Sequence, residues 1–91
     1  IIGVPWFVYI CLCRNLSYYT GITSNIDRRM QEHFQHEGAR YTRENWFVKL
    51  LWHERHDTRE SALRREAQLK RWTRRKKETL IQGNLLLLKQ L

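Results

Sequence analysis

The chain has 91 residues, 17 of them Lys or Arg against 9 Asp or Glu, which gives a formal net charge of +8 and a pI near 10.1. That length holds one modest core, so a single domain over residues 1–91 is expected, and 42% apolar residues with four Trp, four Tyr and one Pro exclude disorder as the main state. So large a positive excess asks for a polyanion, either nucleic acid or an anionic membrane surface.

The first elements are strands. Ile1 to Cys13 is almost wholly apolar, but it is too short to span a bilayer, no bases precede it and no small-residue cleavage site follows it. A buried strand is therefore expected at Trp6–Cys13, and a second at Ser17–Ile22, with Arg14-Asn15-Leu16 as the hairpin turn between them. Period-two alternation puts Phe7, Tyr9 and Cys11 on one face of the first strand and Tyr19 with Gly21 on one face of the second, Tyr9 lying across from Tyr19. Cys11 and Cys13, two apart on one strand, have poor geometry for a disulfide and read as small apolar residues. Zinc ligation by these cysteines with His33 and His36, or with His53 and His56, fits no standard structural spacing.

Ser24-Asn25-Ile26-Asp27 opens a helix with a polar cap and an acid in its first turn, running to about Gln35 with Gly38 beyond its end. At 100° per residue its inward stripe is Ile26, Met30, His33 and Phe34; Arg29 lies at the edge of the stripe, and Arg28, Glu32 and Gln35 point outward. Trp46 to Trp52 is a third strand, extending to about Arg55. Asp57 is expected to cap a second helix with Glu60 as its capping-box acid, and that helix is expected to continue through Lys70 and Trp72 to Thr73. A short helix over Lys76–Ile81 stops at Gly83, and Leu85 to Leu88 is too short for an anchor, so no membrane partner is expected.

Several residues ask for more than packing. On the second long helix Ala62, Leu63, Leu69 and Thr73 fall on one side, and Glu66 falls among them. A carboxylate there needs a partner: a salt bridge to an Arg on one reading, a metal ion or catalytic role on the other. Arg29 and His33, one turn apart, can meet either a phosphate or Glu66. With Tyr9 and Tyr19 these residues form a set suited to phosphodiester chemistry, since a phenol can position or deprotonate water, a guanidinium can hold phosphate, and a carboxylate can bind a divalent cation. The charge is also concentrated: Arg59 to Lys77 carries nine bases and two acids, a local net charge of +7 with Trp72 interleaved. Lys70, Arg71, Arg74, Arg75, Lys76 and Lys77, with Arg28 on the first helix, are the candidate nucleic-acid-binding residues.

Val8-Tyr9-Ile10, then Tyr19-Thr20-Gly21 ten residues on from tyrosine to tyrosine, then Arg29 ten further on and Glu66 in a later helix, resemble the GIY-YIG endonuclease superfamily, above all its small single-domain bacterial members. Tyr19 to Asn25, Arg28-Arg29 with Glu32-His33, and Arg65 to Lys70 look typical of that group, and the similarity spans about residues 6–82. The resemblance implies a small α/β (α+β) domain with a three-stranded antiparallel sheet flanked by helices. It implies hydrolysis of DNA backbone phosphodiesters with a single Mg²⁺ or Mn²⁺ held by Glu66. Tyr9 and Tyr19 correspond to the activators of the attacking water, Arg29 to the arginine that grips the scissile phosphate, and His33 to a position that assists proton transfer. The implied setting is cytoplasmic DNA repair or recombination on single-stranded, duplex or branched DNA, with a homodimer or an accessory protein as further partners. Departures from the family pattern are Phe7 for the first-motif glycine, Thr20 within the second motif, Ile22 where several relatives carry a catalytic lysine, and Glu78 where some carry an active-site Asn. The alternatives are a nucleic-acid-binding module of the same fold without turnover, and a protein-interaction domain whose basic face meets acidic partners.

Overall fold

The computed structural model describes residues 3–34 and 47–91, apart from the side chains of His33 and Phe34. The expectations for Gln35, His36, Gly38 and Trp46, and for the side chains of His33 and Phe34, lie outside the described residues. The element order is β1 (Trp6–Cys13), β2 (Tyr18–Thr23), α1 (Ile26–Phe34), β3 (Phe47–His56), α2 (Arg59–Lys70), α3 (Arg74–Ile81) and α4 (Leu85–Leu88). The strands form one antiparallel sheet in the order β2-β1-β3, so the fold is the expected α+β arrangement with β1 at its centre.

Because β1 has a neighbour on each side and helices over both faces, it is apolar at nearly every position. Val8 and Ile10 are fully buried on one face, where they meet Ala62 and Leu69 of α2 and Leu80 of α3. Tyr9, Cys11 and Cys13 are buried on the other, against Met30 of α1 and Phe47 of β3. Full burial of a side chain the size of Val8 or Ile10 contributes about 1.5–3 kcal/mol, so this strand anchors two small cores. Both cysteines are free; the Cys11 thiol lies 3.6 Å from Met30 Sδ, and burial pushes its pKa up to about 12.

Local polar chemistry sets the helix ends. Asn25 Oδ1 accepts the Arg28 amide at 3.0 Å, which caps α1 as expected. On α2 the expectation needs correcting: Thr58, not Asp57, is the cap, its extended backbone letting the hydroxyl accept the Ser61 amide at 3.1 Å. Asp57 pairs instead with Arg55 at 3.0 Å. The same helix ends at Lys70 and does not reach Thr73. Thr73 adopts an extended conformation and accepts the Lys76 amide at 3.2 Å, so it caps α3, which begins at Arg74 and not at Lys76. A threonine hydroxyl competes with the helical ladder for backbone amides, and here it wins between two helices. Gly83, at φ +73°, closes α3, and Asn84 then caps the one-turn α4, which the sequence reading did not foresee.

Two side-chain networks tie helices to the sheet. His56 bridges Glu54 at 2.7 Å through Nε2 and Ser61 at 2.6 Å through Nδ1, which fastens the start of α2 to the end of β3. Arg65 bonds Glu54 at 3.1 Å and lies over the rings of Trp52 and Trp72 at 6.0 and 5.3 Å. At the other end Arg74 lies 4.1 Å from the centroid of Tyr18, pairs with Glu78 at 3.1 Å and donates to the Leu16 carbonyl, while Tyr18 donates to Glu78 at 3.3 Å. This clamp holds α3 against the hairpin between β1 and β2.

The hairpin itself carries a strained residue. Leu16 sits at φ 69°, a left-handed conformation that costs an L-residue about 1–2 kcal/mol, and its side chain is exposed. Asn15 supports the turn by accepting both the amide and the hydroxyl of Ser17. Replacing Leu16 with Gly removes the strain and keeps the carbonyl that Arg74 binds. Leu16→Gly is expected to stabilise the domain by about 0.5–1 kcal/mol after the entropy cost of glycine in the unfolded chain, read as a higher urea midpoint with an unchanged slope.

Candidate active site

Register decides which side chains can meet on the Tyr9 face. Tyr9 pairs across the ladder with Gly21, and Cys11 pairs with Tyr19. Tyr9 and Tyr19 therefore share a face as expected, but they are diagonal neighbours and do not lie directly opposite. Their ring centroids are 6.2 Å apart, and Tyr19 also stacks on Phe47 at 4.9 Å. Tyr9 is 2% exposed and Tyr19 is 40% exposed, so the first phenol is built into the core and the second reaches the surface.

Gly21 makes this approach feasible. A Cβ at that position would lie 2.7 Å from the Tyr9 hydroxyl oxygen, 2.8 Å from Tyr9 Cζ and 2.9 Å from Tyr19 Cε1. Those separations are too short for any side chain, so both phenols lean over a bare backbone. The sequence reading placed Gly21 on the correct face without seeing this role. The signal was its spacing, two residues after Tyr19 on one strand face. Phe47 was missed as a stacking partner because nothing local reveals which strand residue will reach across to Tyr19.

Two helices bring charge to the Tyr19 phenol. Burial raises its pKa most, the Glu66 carboxylate raises it further, and the Arg29 guanidinium opposes both. β2 is an edge strand, so α1 on one face of the sheet and α2 on the other can both approach this residue. Glu66 is half-buried at 19% side-chain exposure, and its ion-pair partner is Lys70 at 3.7 Å, in place of the arginine that one of the two sequence readings named. Arg29 pairs loosely with Glu32 at 3.6 Å, a contact a stronger anion can displace. The backbone of His33 continues α1 one turn beyond Arg29; its side chain lies outside the described residues. Tyr9, Tyr19, Arg29 and Glu66 thus form one neighbourhood around the open phenol. Thr73, expected on the inward stripe beside Glu66, is instead an exposed cap.

Residues 5–79 match the GIY-YIG catalytic domain, which covers both tyrosines, Arg29, His33 and Glu66. The chain belongs to the GIY-YIG family. It is 47% identical over 79 residues to a UPF0213 protein of Xanthomonas axonopodis pv. citri, covering 87% of this chain and 78% of that one. It is likewise 47% identical over 74 residues to a UPF0213 protein of Haloquadratum walsbyi, covering 81% and 83% of the two chains. Among solved structures, the solution NMR structure of a UPF0213 protein from Bacillus halodurans is similar with a TM-score of 0.55 at 39% identity, covering 86% of this chain and 83% of that one. The chain is therefore a small member of a nuclease superfamily whose members bind nucleic acid.

The basic residues of this GIY-YIG domain divide by what they touch. Arg74 is committed to the hairpin clamp, and Glu78 is its counter-ion. Lys76 lies over Trp72 at 4.4 Å, Arg28 pairs with Glu32 at 3.6 Å, Lys70 pairs with Glu66 at 3.7 Å, and Lys77 is half-buried. Arg71 and Arg75 are exposed, and among the described residues neither side chain makes an ion pair. No described helix is long and apolar enough to cross a membrane.

Two outcomes test this geometry. Gly21→Ala drives a methyl group into the two rings, and buried Tyr9 has no room to retreat, so a loss of about 1–3 kcal/mol is expected in urea unfolding. In a titration of ¹³C-labelled tyrosine followed at Cζ by NMR, Glu66→Gln removes a charge that disfavours the phenolate and should lower the Tyr19 pKa. Arg29→Ala removes a charge that favours the phenolate and should raise it.

Proposed function

We propose that this GIY-YIG domain is a metal-dependent endonuclease that hydrolyses DNA phosphodiester bonds, with Tyr9, Tyr19, Arg29, His33 and Glu66 as its working residues. The observation that carries the reading is that a guanidinium from one helix and a half-buried carboxylate from another both act on one open phenol. Tyr19, a phenol that is protonated at neutral pH and whose pKa its surroundings push up, orients the attacking water as a hydrogen-bonding partner, and Tyr9 packs beside the Tyr19 ring. Arg29 exchanges its loose contact with Glu32 for the charge that develops on the phosphate. His33, one turn further along α1, assists proton transfer.

A divalent cation, when bound, stabilises negative charge on the phosphoryl oxygens and makes a bound water more acidic. Among the described residues no group of three or more His, Cys, Asp or Glu side chains gathers as a metal cage. One half-buried carboxylate nevertheless fits Mg²⁺ or Mn²⁺, since Mg²⁺ takes one or two carboxylates and completes its shell with water and substrate phosphate. Glu66 would be the protein ligand.

Arg28, Lys70, Arg71, Arg75, Lys76 and Lys77 supply the attraction to the DNA backbone, and Arg74 adds its charge while holding α3 in place. The choice among single-stranded, duplex and branched DNA falls to this surface, to a second copy or to an accessory protein, and repair or recombination in the cytoplasm is the setting we assign. One observation favours a second reading, a binding module without turnover: Ile22, where several relatives carry a lysine, packs against the Val8–Ile10 core and offers no charge.

A cleavage assay over single-stranded, duplex and branched DNA with Mg²⁺ or Mn²⁺ separates the two. Metal-dependent nicking is expected from the wild type, with Glu66→Gln reducing it by roughly 10²-fold or more without weakening DNA binding. Arg29→Ala should lower turnover more than affinity. Arg71→Ala and Arg75→Ala should weaken binding and reduce the salt slope by about 1 each. Absence of metal-dependent nicking on every substrate would rule out the enzyme and leave the binding module.

A further inference from the structure

A single exposed leucine is ordinary on a protein surface, but one held in the left-handed region is not. Leu16, at the tip of the hairpin between β1 and β2, has φ 69° and is 65% exposed; among the described residues it is the one non-glycine residue with a positive φ. Glycine or asparagine fits that backbone at less cost, and a side chain so exposed recovers little of the cost by packing. Strain of this kind persists where the surroundings hold it, and it points to a use for the side chain.

The surroundings do hold it. The Leu16 amide donates to the Cys13 carbonyl and the Cys13 amide to the Ser17 carbonyl, each at 2.9 Å. Asn15 Oδ1 accepts the Ser17 amide and hydroxyl at 3.0 and 2.6 Å. From α3, Arg74 donates to the Leu16 carbonyl while its guanidinium lies over Tyr18 and pairs with Glu78. The tip is thus a fixed apolar point, and cations border it. Arg14 is exposed two residues earlier, and Arg75, exposed and without an ion pair among the described residues, follows Arg74 along α3. An aliphatic side chain beside guanidinium groups suits a nucleic-acid duplex. The guanidinium groups meet phosphates, and the side chain enters between two base pairs, as the apolar wedges of duplex-bending proteins do.

We propose that Leu16 is a wedge that enters the base stack of a bound duplex and opens one base step. The wedge rests on the nucleic-acid reading above and narrows its substrate class to duplex DNA with a weakened step, such as an unpaired base, because part of the stacking it must break is already lost there. Leu16 lies three residues before Tyr19, at most about 10 Å of extended chain, so the opened step falls within about three base pairs of the candidate site.

The test needs neither metal nor turnover. Two fluorescein-labelled duplexes of about 20 base pairs, one fully paired and one with a single unpaired base, are titrated in EDTA and followed by anisotropy across a salt series. In a second pair the label is replaced by 2-aminopurine, whose fluorescence rises on unstacking, placed beside the unpaired base or at the same position of the paired duplex. The wild type should bind the interrupted duplex about tenfold more tightly than the paired one and raise the 2-aminopurine signal at saturation. Leu16→Gly, its fold checked by urea unfolding, should lose most of the preference and of the signal with the salt slope unchanged. Leu16→Met keeps an apolar side chain and should retain both. Arg75→Ala should weaken binding to both duplexes alike and lower the slope by about 1, leaving the saturated signal as it was. An unchanged preference and signal in Leu16→Gly, equal losses in Leu16→Gly and Leu16→Met, or no preference in the wild type overturns the wedge while nucleic-acid binding stands. Absence of salt-dependent binding by the wild type overturns both the wedge and the reading beneath it. Leu16-dependent sedimentation with phosphatidylserine vesicles, in place of DNA binding, assigns the tip to a membrane and also overturns the wedge. The expected pattern in a protein that cleaves nothing supports the wedge and removes only the catalysis.

Discussion

A strand whose odd and even residues are both fully buried cannot slip by one position without inverting two cores at once, and β1 is such a strand. Val8 and Ile10 belong to the core under α2, Tyr9 and Cys11 to the core under α1. That double burial fixes the register against β2, and the register sets Tyr9 opposite Gly21. From this one pairing the rest of the site follows. The Tyr9 ring extends over the glycine, Tyr19 stands diagonally beside it, and Phe47 closes the other flank. The buried tyrosine is thus part of the core, and its neighbour on the edge strand reaches the surface.

The same central strand explains how charges from opposite sides of the sheet meet. α1 packs on the Tyr9 face and α2 on the Val8 face, so Arg29 and Glu66 could reach a common point only at a sheet edge, and β2 is that edge. Their opposing influence on the Tyr19 phenol is the electrostatic trace of the meeting. A phenol in the middle strand would have felt only one of them. Edge strands are usually a hazard because they offer unpaired backbone; here the edge is where influence from both helices reaches one side chain.

Much of this was legible in the sequence wherever the determinants are local. β1 came out with its observed bounds because eight consecutive apolar or small residues leave no other solution, and α1 began at the cap its Asn25 provides. The short motifs pointed to the tyrosines, Arg29 and Glu66 through their resemblance to the family pattern, and the family match covers all of them. What escaped was decided by competition between neighbours. Thr58 outcompetes Asp57 as a cap because the chain enters α2 one residue later than the acid allows, and Thr73 breaks a helix whose apolar period runs straight through it. The direct pairing of Tyr9 with Tyr19 failed by two positions although the turn lies where it was expected: with Arg14-Asn15-Leu16 as the turn, Cys13 faces Ser17 and the ladder counts back to Tyr9 opposite Gly21.

The charge excess also takes on a different meaning once partners are assigned. A net charge of +8 on a small domain is a repulsion that folding must accommodate. The described ion pairs show how: Glu32, Glu54, Asp57, Glu66 and Glu78 each meet at least one base. Aromatic rings add further sinks, with Arg59 over Trp6, Arg65 between Trp52 and Trp72, and Arg74 over Tyr18. Exposed pairs of this kind contribute little stability one by one. Their effect is positional, since each removes a cation from the general pool and gives it a fixed place in the fold. Among the described bases that no ion pair engages, Arg71, Arg75 and Lys77 follow α2 directly, in the stretch of chain that begins at Lys70. Because Glu66 precedes Lys70 by one helical turn, the excess positive charge of the α2–α3 junction follows directly on the half-buried carboxylate that Lys70 meets.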